Sequence, residues 1–154
     1  MSVESDLAGM AIDLPAPAGK AASVSQPLKI RWQGTSHGGP DKQRLFTATL
    51  GGTINLLLER DPGTAAHSYF SRGALGIGNA SEPPPPASGI SVNASLPNLD
   101  LDGWKKAVQE FLPETSAGAA AEGWPALLPP VEYVDLTATL LHFGGYRFDD
   151  LTLR

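Results

Sequence analysis

The sequence predicts a mainly β protein: a curled antiparallel sheet with one short amphipathic helix as its minor α part. Three observations predict this fold class. Most of the chain is written in short runs where apolar and polar residues alternate with a period of two. Two Gly-Gly pairs separate such runs, as in tight hairpin turns. Only one window places its apolar residues at helical spacing.

The composition indicates one folded domain over residues 1–154, because the chain is long enough for one core and short for two. The net charge of −5, with basic residues scattered, argues against a nucleic-acid partner. The absence of cysteine excludes disulfides, cysteine zinc sites and thiol catalysis. The 17 Gly and 14 Pro predict many turns.

The alternating runs define the predicted strands. In chain order they are 27–34, 44–50, 54–60, 66–78, 89–97, 131–143 and 146–154. Gly51-Gly52 joins the second run to the third, and Gly144-Gly145 joins the last two. Glycine adopts positive φ without steric cost, so both pairs predict tight hairpin turns.

One side of these strands is apolar. Its candidate residues, taken from the alternation alone, are Leu28, Ile30, Phe46, Ala48, Leu50, Ile54, Leu56, Leu58, Val134, Leu136 and Leu140. Such rows are normally buried core. If the sheet curls and the helix covers only part of it, the same rows form a groove for an apolar ligand. The sequence pattern leaves both interpretations open.

The helix is predicted over residues 102–112, with Asp100 or Asp102 as its N-cap and Pro113 ending it. Its apolar stripe consists of Leu101, Trp104, Val108 and Phe111. About three turns are too short to be stable alone, so the helix must dock on the apolar side of the sheet. The Ala, Gly and Pro-rich stretch 113–130 is predicted to be a loop.

No catalytic or metal-binding constellation is present in the sequence. His37, His67 and His142 are far apart and lack a second ligand at zinc-like spacing. No GxSxG elbow or dinucleotide fingerprint occurs. We therefore predict no catalytic residues, no metal and no cofactor, and a protein that is not an enzyme.

Neither a membrane span nor a secretion signal is visible, since no window approaches about 18 consecutive apolar residues. The chain opens in strand-like sequence and stops in another predicted strand. We therefore expect an excised internal or C-terminal segment of a longer protein. Met1 is compatible with an addition for expression.

Four stretches, in this order, resemble the YhdP-type AsmA-like proteins of Gram-negative bacteria. They are Ser5–Trp32 with its "LPAPAGK" and "PLKIRW", Phe70–Ala80 with "FSRGALGIGNA", Gly89–Trp104 with "LPNLDLDGW", and Val134–Arg154 with its Gly-Gly turn. Together they cover most of the chain, and the loops match least. Each motif alone is moderately specific, and their shared order carries the resemblance.

The resemblance implies a parent protein anchored in the inner membrane with its bulk in the periplasm. Repeated strands of that family form a trough, or β-taco, with a hydrophobic inside that carries phospholipids between inner and outer membrane. The expected partners are phospholipid acyl chains and neighbouring segments of the same parent chain, and membrane contact is expected only through parts absent from this segment. The helix would then be a lid or plug on the trough. The alternative is a closed β structural or interaction module of a large envelope protein, with no ligand of its own.

Overall fold

A computed structural model describes residues 1–34, 44–60, 69–79, 83–111 and 128–154. Within these ranges the chain forms eight strands and one helix. They are β1 (Ser2–Ser5), β2 (Leu28–Gly34), β3 (Arg44–Leu50), β4 (Ile54–Arg60), β5 (Arg72–Gly78), β6 (Gly89–Asp100), α1 (Leu101–Phe111), β7 (Val131–Phe143) and β8 (Tyr146–Leu153).

All eight strands belong to one sheet, in sequential order from β1 to β8, with β1 and β8 as its edges. The prediction of a mainly β fold with a curled sheet and one short helix is therefore confirmed. The prediction that the sheet is antiparallel holds for five of the seven pairings and is wrong for the two on either side of β6, which are parallel. Parallel neighbours need a long crossover instead of a tight turn. Residues 79–88 supply the first crossover, and α1 with the chain after it supplies the second.

Both predicted glycine turns are confirmed. Gly51-Gly52 has φ angles of 62° and 70°, and Gly144-Gly145 has 62° and 77°. These angles lie in the left-handed region that side chains with a Cβ disfavour. The first loop is one residue longer than predicted, because Leu50 pairs with Ile54 and the Thr53 amide donates to the Leu50 carbonyl at 3.2 Å.

Two strand boundaries differ from the prediction. The run predicted over 66–78 becomes a strand only at Arg72, because Tyr69 and Phe70 before it pack against other aromatic rings; residues 66–68 lie outside the described part. Strand β6 continues past the predicted end at residue 97 to Asp100. Its parallel pairing with β7 continues to Asp100, which pairs with His142.

Helix α1 begins at Leu101, one residue earlier than predicted. The Asp100 carboxylate accepts a hydrogen bond from the Gly103 amide at 2.8 Å, which makes Asp100 the N-cap. Asp102 lies in the first turn instead. Residues 128–130 are irregular, and the rest of the predicted loop 113–130 lies outside the described ranges.

The two ends of the sheet are called the helix end and the arginine end. The helix end carries α1, both glycine turns and the segment 6–27 between β1 and β2, since β6 and β7 run parallel to β5 and finish on that side. The arginine end is the opposite one, where Arg44 and Arg60 pair at the far ends of β3 and β4.

The packed core is small and divided between these two ends. At the helix end the buried residues Leu96, Leu99, Ala138 and Leu141 form one group. At the arginine end Leu58 and Ile90 pack with an aromatic cluster, defined as Trp32, Phe46, Tyr69 and Phe70. No large side chain of the described residues is fully buried, which is the mark of a single layer rather than a two-layer sandwich.

Candidate functional site

The ladder register places the predicted apolar residues on one face of the sheet. Directly paired residues on neighbouring strands project to the same side. Leu28 pairs with Leu50, and Leu50 pairs with Ile54. The predicted residues that share this face, called the apolar face below, are Leu28, Ile30, Phe46, Ala48, Leu50, Ile54, Leu56, Leu58, Val134, Leu136 and Leu140.

The apolar face is continuous from β2 to β8. One row of paired positions crosses seven strands through Leu28, Leu50, Ile54, Ile77, Ala94, Leu136 and Leu153. Seven strands at about 4.8 Å spacing make this row about 29 Å wide. Sequence reasoning left Leu75 and Ile77 out of the lining set, because the glycines around them in β5 obscure the alternation. The sequence signal that could have identified them is their own spacing of two residues.

This face is only half covered. Of the ten lining residues other than Ala48, nine are half-buried, and only Leu58 is buried, with 3% of its surface exposed. Neither a second sheet nor a long helix lies over β2, β3 and β4 within the described ranges. An apolar surface of this extent is unusual on a monomer without a partner or ligand. Within the described ranges, the apolar face is therefore left half-exposed over β2, β3 and β4.

The opposite face, called the polar face below, carries charged and polar side chains together with a few leucines, namely Leu45, Leu57, Leu99 and Leu141. Lys29 and Arg31 of β2 are exposed on it, and Glu59 binds Arg72 with an oxygen-to-nitrogen distance of 2.6 Å. Pro84, between β5 and β6, lies on this side, because the Ser91 hydroxyl donates to its carbonyl at 3.4 Å. The charged side chains of β2 and β4 thus lie on the side opposite the apolar face, as the alternation predicts.

Helix α1 packs at the helix end of the sheet. Leu101 and Trp104 lie against the buried group there. Asp102 accepts hydrogen bonds from the Gly144 and Gly145 amides at 2.9 and 3.1 Å. These two bonds lower the pKa of the Asp102 carboxyl below its usual 3.8. The helix is thereby tied to the β7–β8 hairpin.

The helix α1 is therefore a plug at one end of the sheet, and it does not cover the whole apolar face. The side chains of Val108 and Phe111, also predicted to belong to the helix stripe, lie outside the described part of the structure. Their role as a lid stays a prediction.

Segment 6–27 completes the closure of the helix end. It leaves the sheet beside β2, yet its Pro15 ring lies so near α1 that a Cβ on Gly103 would come within 3.0 Å of it. Four strand spacings, about 19 Å, separate β2 from β6. The segment therefore bridges the end of the sheet. A cavity of about 300 Å³ between it and α1 is lined partly by the charged Asp13, Asp100 and Lys106, a poor match for an apolar ligand.

No catalytic or metal centre is evident in the described ranges. They contain no group of three or more His, Cys, Asp or Glu side chains placed to hold an ion. His142 lies on β7, whereas His37 and His67 fall outside the described residues. Neither does this part of the chain contain a helix of the length and apolarity needed to cross a membrane.

These features define a class: an open, single-layer β protein with one apolar face that is closed at one end by a helix. The particular family follows from comparison with known families. The model described as YhdP protein matches residues 1–154, so the chain belongs to the YhdP family, and the resemblance seen in the sequence is confirmed. No curated protein and no solved structure matches the chain.

Proposed function

We propose that this chain shields the acyl chains of phospholipids and forms part of a path along which they move between the inner and outer membranes. The observation that carries the proposal is the continuous apolar face, which is half-exposed across β2, β3 and β4. Membership of the YhdP family supports the same proposal. No covalent step is required, which agrees with a role outside catalysis.

The physical driving force is the transfer of methylene groups from water to an apolar surface. Each buried methylene contributes about 0.8 kcal/mol, so two acyl chains strongly prefer such a face over bulk water. The lining consists mainly of Leu, Ile and Val, which differ little in polarity. A uniform lining lets a chain slide without a deep energy well. Direction must then come from other parts of the parent protein.

The proposed setting is the periplasm, within a parent protein anchored in the inner membrane. Its proposed partners are phospholipid acyl chains and neighbouring segments of the same parent chain. Strands β1 and β8 each hydrogen-bond to a single neighbour in the described ranges. Their outer N–H and C=O groups are suited to pairing with further strands. At the start of α1, Asp100 caps the helix and Asp102 binds the turn of the β7–β8 hairpin.

The test is native mass spectrometry with lipid extraction, on protein expressed in a Gram-negative host and purified gently. The informative variant is Leu56→Asp with Leu136→Asp, which puts two charges on the apolar face. Its matched control is Asn55→Asp with Thr137→Asp. These positions are the chain neighbours of the first two, and their register places them on the polar face.

The wild type and the control are expected to carry phospholipid, and the apolar-face variant is expected to lose it while keeping its β-type circular dichroism. A lipid-free wild type would support the alternative of a closed structural or interaction module. Equal lipid loads in the two variants would show that lipid binds elsewhere.

A further inference from the structure

Two arginines stand side by side where the apolar face meets the arginine end. Arg44 pairs directly with Arg60 across β3 and β4. Two positions further along, Phe46 pairs with Leu58, and both lie on the apolar face. Because side chains alternate along a strand, Arg44 and Arg60 project to that same face. The aliphatic surface therefore ends in two adjacent positive charges.

Tyr69 holds both guanidinium groups at the edge of the aromatic cluster. The Arg44 Nη1 lies 3.4 Å from the Tyr69 hydroxyl, and the Arg60 Cζ lies 4.0 Å from the centre of the Tyr69 ring. Burial alone would raise the pKa of Tyr69, but hydrogen bonds from and charge on the two arginines lower it overall. The local potential is thus positive in a chain whose net charge is −5.

Neither arginine has a carboxylate partner among the described residues. The ion pairs found there join Arg72 to Glu59, Arg147 to Asp149 and Arg154 to Asp135. A guanidinium has five N–H donors, and one phenol oxygen uses few of those on Arg44 and Arg60. Two like charges at paired positions also repel each other. An anion placed between them would relieve this repulsion and accept from the N–H donors that have no acceptor among the described residues.

We infer that Arg44 and Arg60 form a binding site for a phosphate group, supplied by a phospholipid whose acyl chains lie on the apolar face. This inference rests on the proposed function and adds a defined place and orientation for the headgroup. Planar guanidinium groups bind phosphate oxygens through paired N–H donors. The site lies at the arginine end of the face, opposite the plug formed by α1.

The experiment separates the phosphate from the acyl chains by using three soluble probes. They are a short-chain phosphatidylglycerol below its micelle concentration, the diacylglycerol of the same chain length, and sn-glycerol 3-phosphate. Binding of each is measured by titration monitored with heteronuclear NMR. The variant is Arg44→Gln with Arg60→Gln. The matched control, Lys29→Gln with Arg31→Gln, removes the same charge from the polar face.

The expected result is a loss of about tenfold or more in affinity for phosphatidylglycerol in the arginine variant. Its affinity for the diacylglycerol should be unchanged, which also reports that the apolar face is intact. The control should bind both probes as the wild type does. The Arg44→Lys with Arg60→Lys variant should recover part of the lost affinity, because charge is kept while the planar donor geometry is lost.

Three results would overturn the inference in different ways. If the arginine variant and the control bound phosphatidylglycerol with equal affinity, the inferred arginine site would be wrong. The proposed function would still stand. Binding of sn-glycerol 3-phosphate as tightly as the lipid would assign the site to a free anion. Failure of the wild type to bind either lipid probe would contradict the proposed function itself.

Discussion

The two halves of the sheet differ in how far their apolar side chains are buried. In the half formed by β6 and β7, residues such as Leu96 and Ala138 are buried, and α1 packs beside them. In the half formed by β2, β3 and β4, the aliphatic side chains of the same face are half-buried, apart from Leu58. Both halves carry similar apolar residues. What differs, within the described ranges, is whether another element packs against them.

The difference shows that apolar alternation along a strand does not by itself make a core. The helix and segment 6–27 pack at one end, whereas Leu50, Ile54 and Leu56 of the β3–β4 hairpin are only half-buried by the described residues. If every large side chain of a half were needed for packing, another element would be expected to bury that half. Our proposal therefore places the ligand on the half that the described residues leave half-exposed.

The largest expected effect compares the two halves directly by stability. Leu141→Ala, in the buried group beside α1, should lower the free energy of unfolding by about 3 kcal/mol, because it leaves a cavity. Leu28→Ala, in the open half, should cost about 1 kcal/mol, since less surface is removed from water on folding. Urea denaturation of both variants measures the difference. Equal losses would break the distinction between a packed half and an open half.

A smaller effect is expected at the hairpin that the helix holds. Gly145→Ala should destabilise the protein by about 1–2 kcal/mol, because alanine must adopt a φ of 77° there. No neighbouring atom lies within 4 Å of the added Cβ, so the cost is conformational. Gly34→Ala, which also has open space and no positive φ, is the control and should be near neutral. Thermal denaturation distinguishes the two.

The smallest effect concerns the tie between α1 and the same hairpin. The lowered pKa of Asp102 means that its stabilising contribution is present above the unfolded value near 3.8 and is lost as pH falls through the folded pKa. Asp102→Asn should therefore reduce stability at neutral pH and behave like the wild type in acid.

Unfolding free energies measured from pH 7 down to pH 2 would test this dependence on Asp102. Asp149→Asn is the matched control, since it removes one carboxylate of the same hairpin whose side chain is 70% exposed. A gap between wild type and Asp102→Asn that stays constant with pH would show that the carboxylate charge has no part in the tie.

Much of this arrangement could be predicted from the sequence, because it depends on local chemistry. The period-two runs and the glycine pairs located the hairpins at Gly51-Gly52 and Gly144-Gly145, where only backbone preference and alternation are needed. The apolar face followed from the same alternation. The helix was placed to within one residue, since Asp100 caps it and the apolar stripe is clear.

The remaining features depend on contacts between residues distant in sequence. The parallel pairings of β6 are set by how the crossovers pack, which no local pattern encodes. The pairing of Arg44 with Arg60 arises only from the register of two strands, and Tyr69 reaches them from a stretch predicted to be strand. The second role of Asp102, as the anchor of a hairpin more than 40 residues away, was hidden for the same reason.

The most direct test of the central claim is photo-crosslinking to lipid in a Gram-negative host. A photoreactive amino acid is placed at Leu56 or Leu136 on the apolar face, or at the chain neighbours Leu57 or Thr137 on the polar face. Our account predicts phospholipid adducts, detected by mass spectrometry, from the first two positions and not from the second two. Adducts from both faces alike, or from neither, would contradict the claim that the apolar face is a lipid-shielding surface.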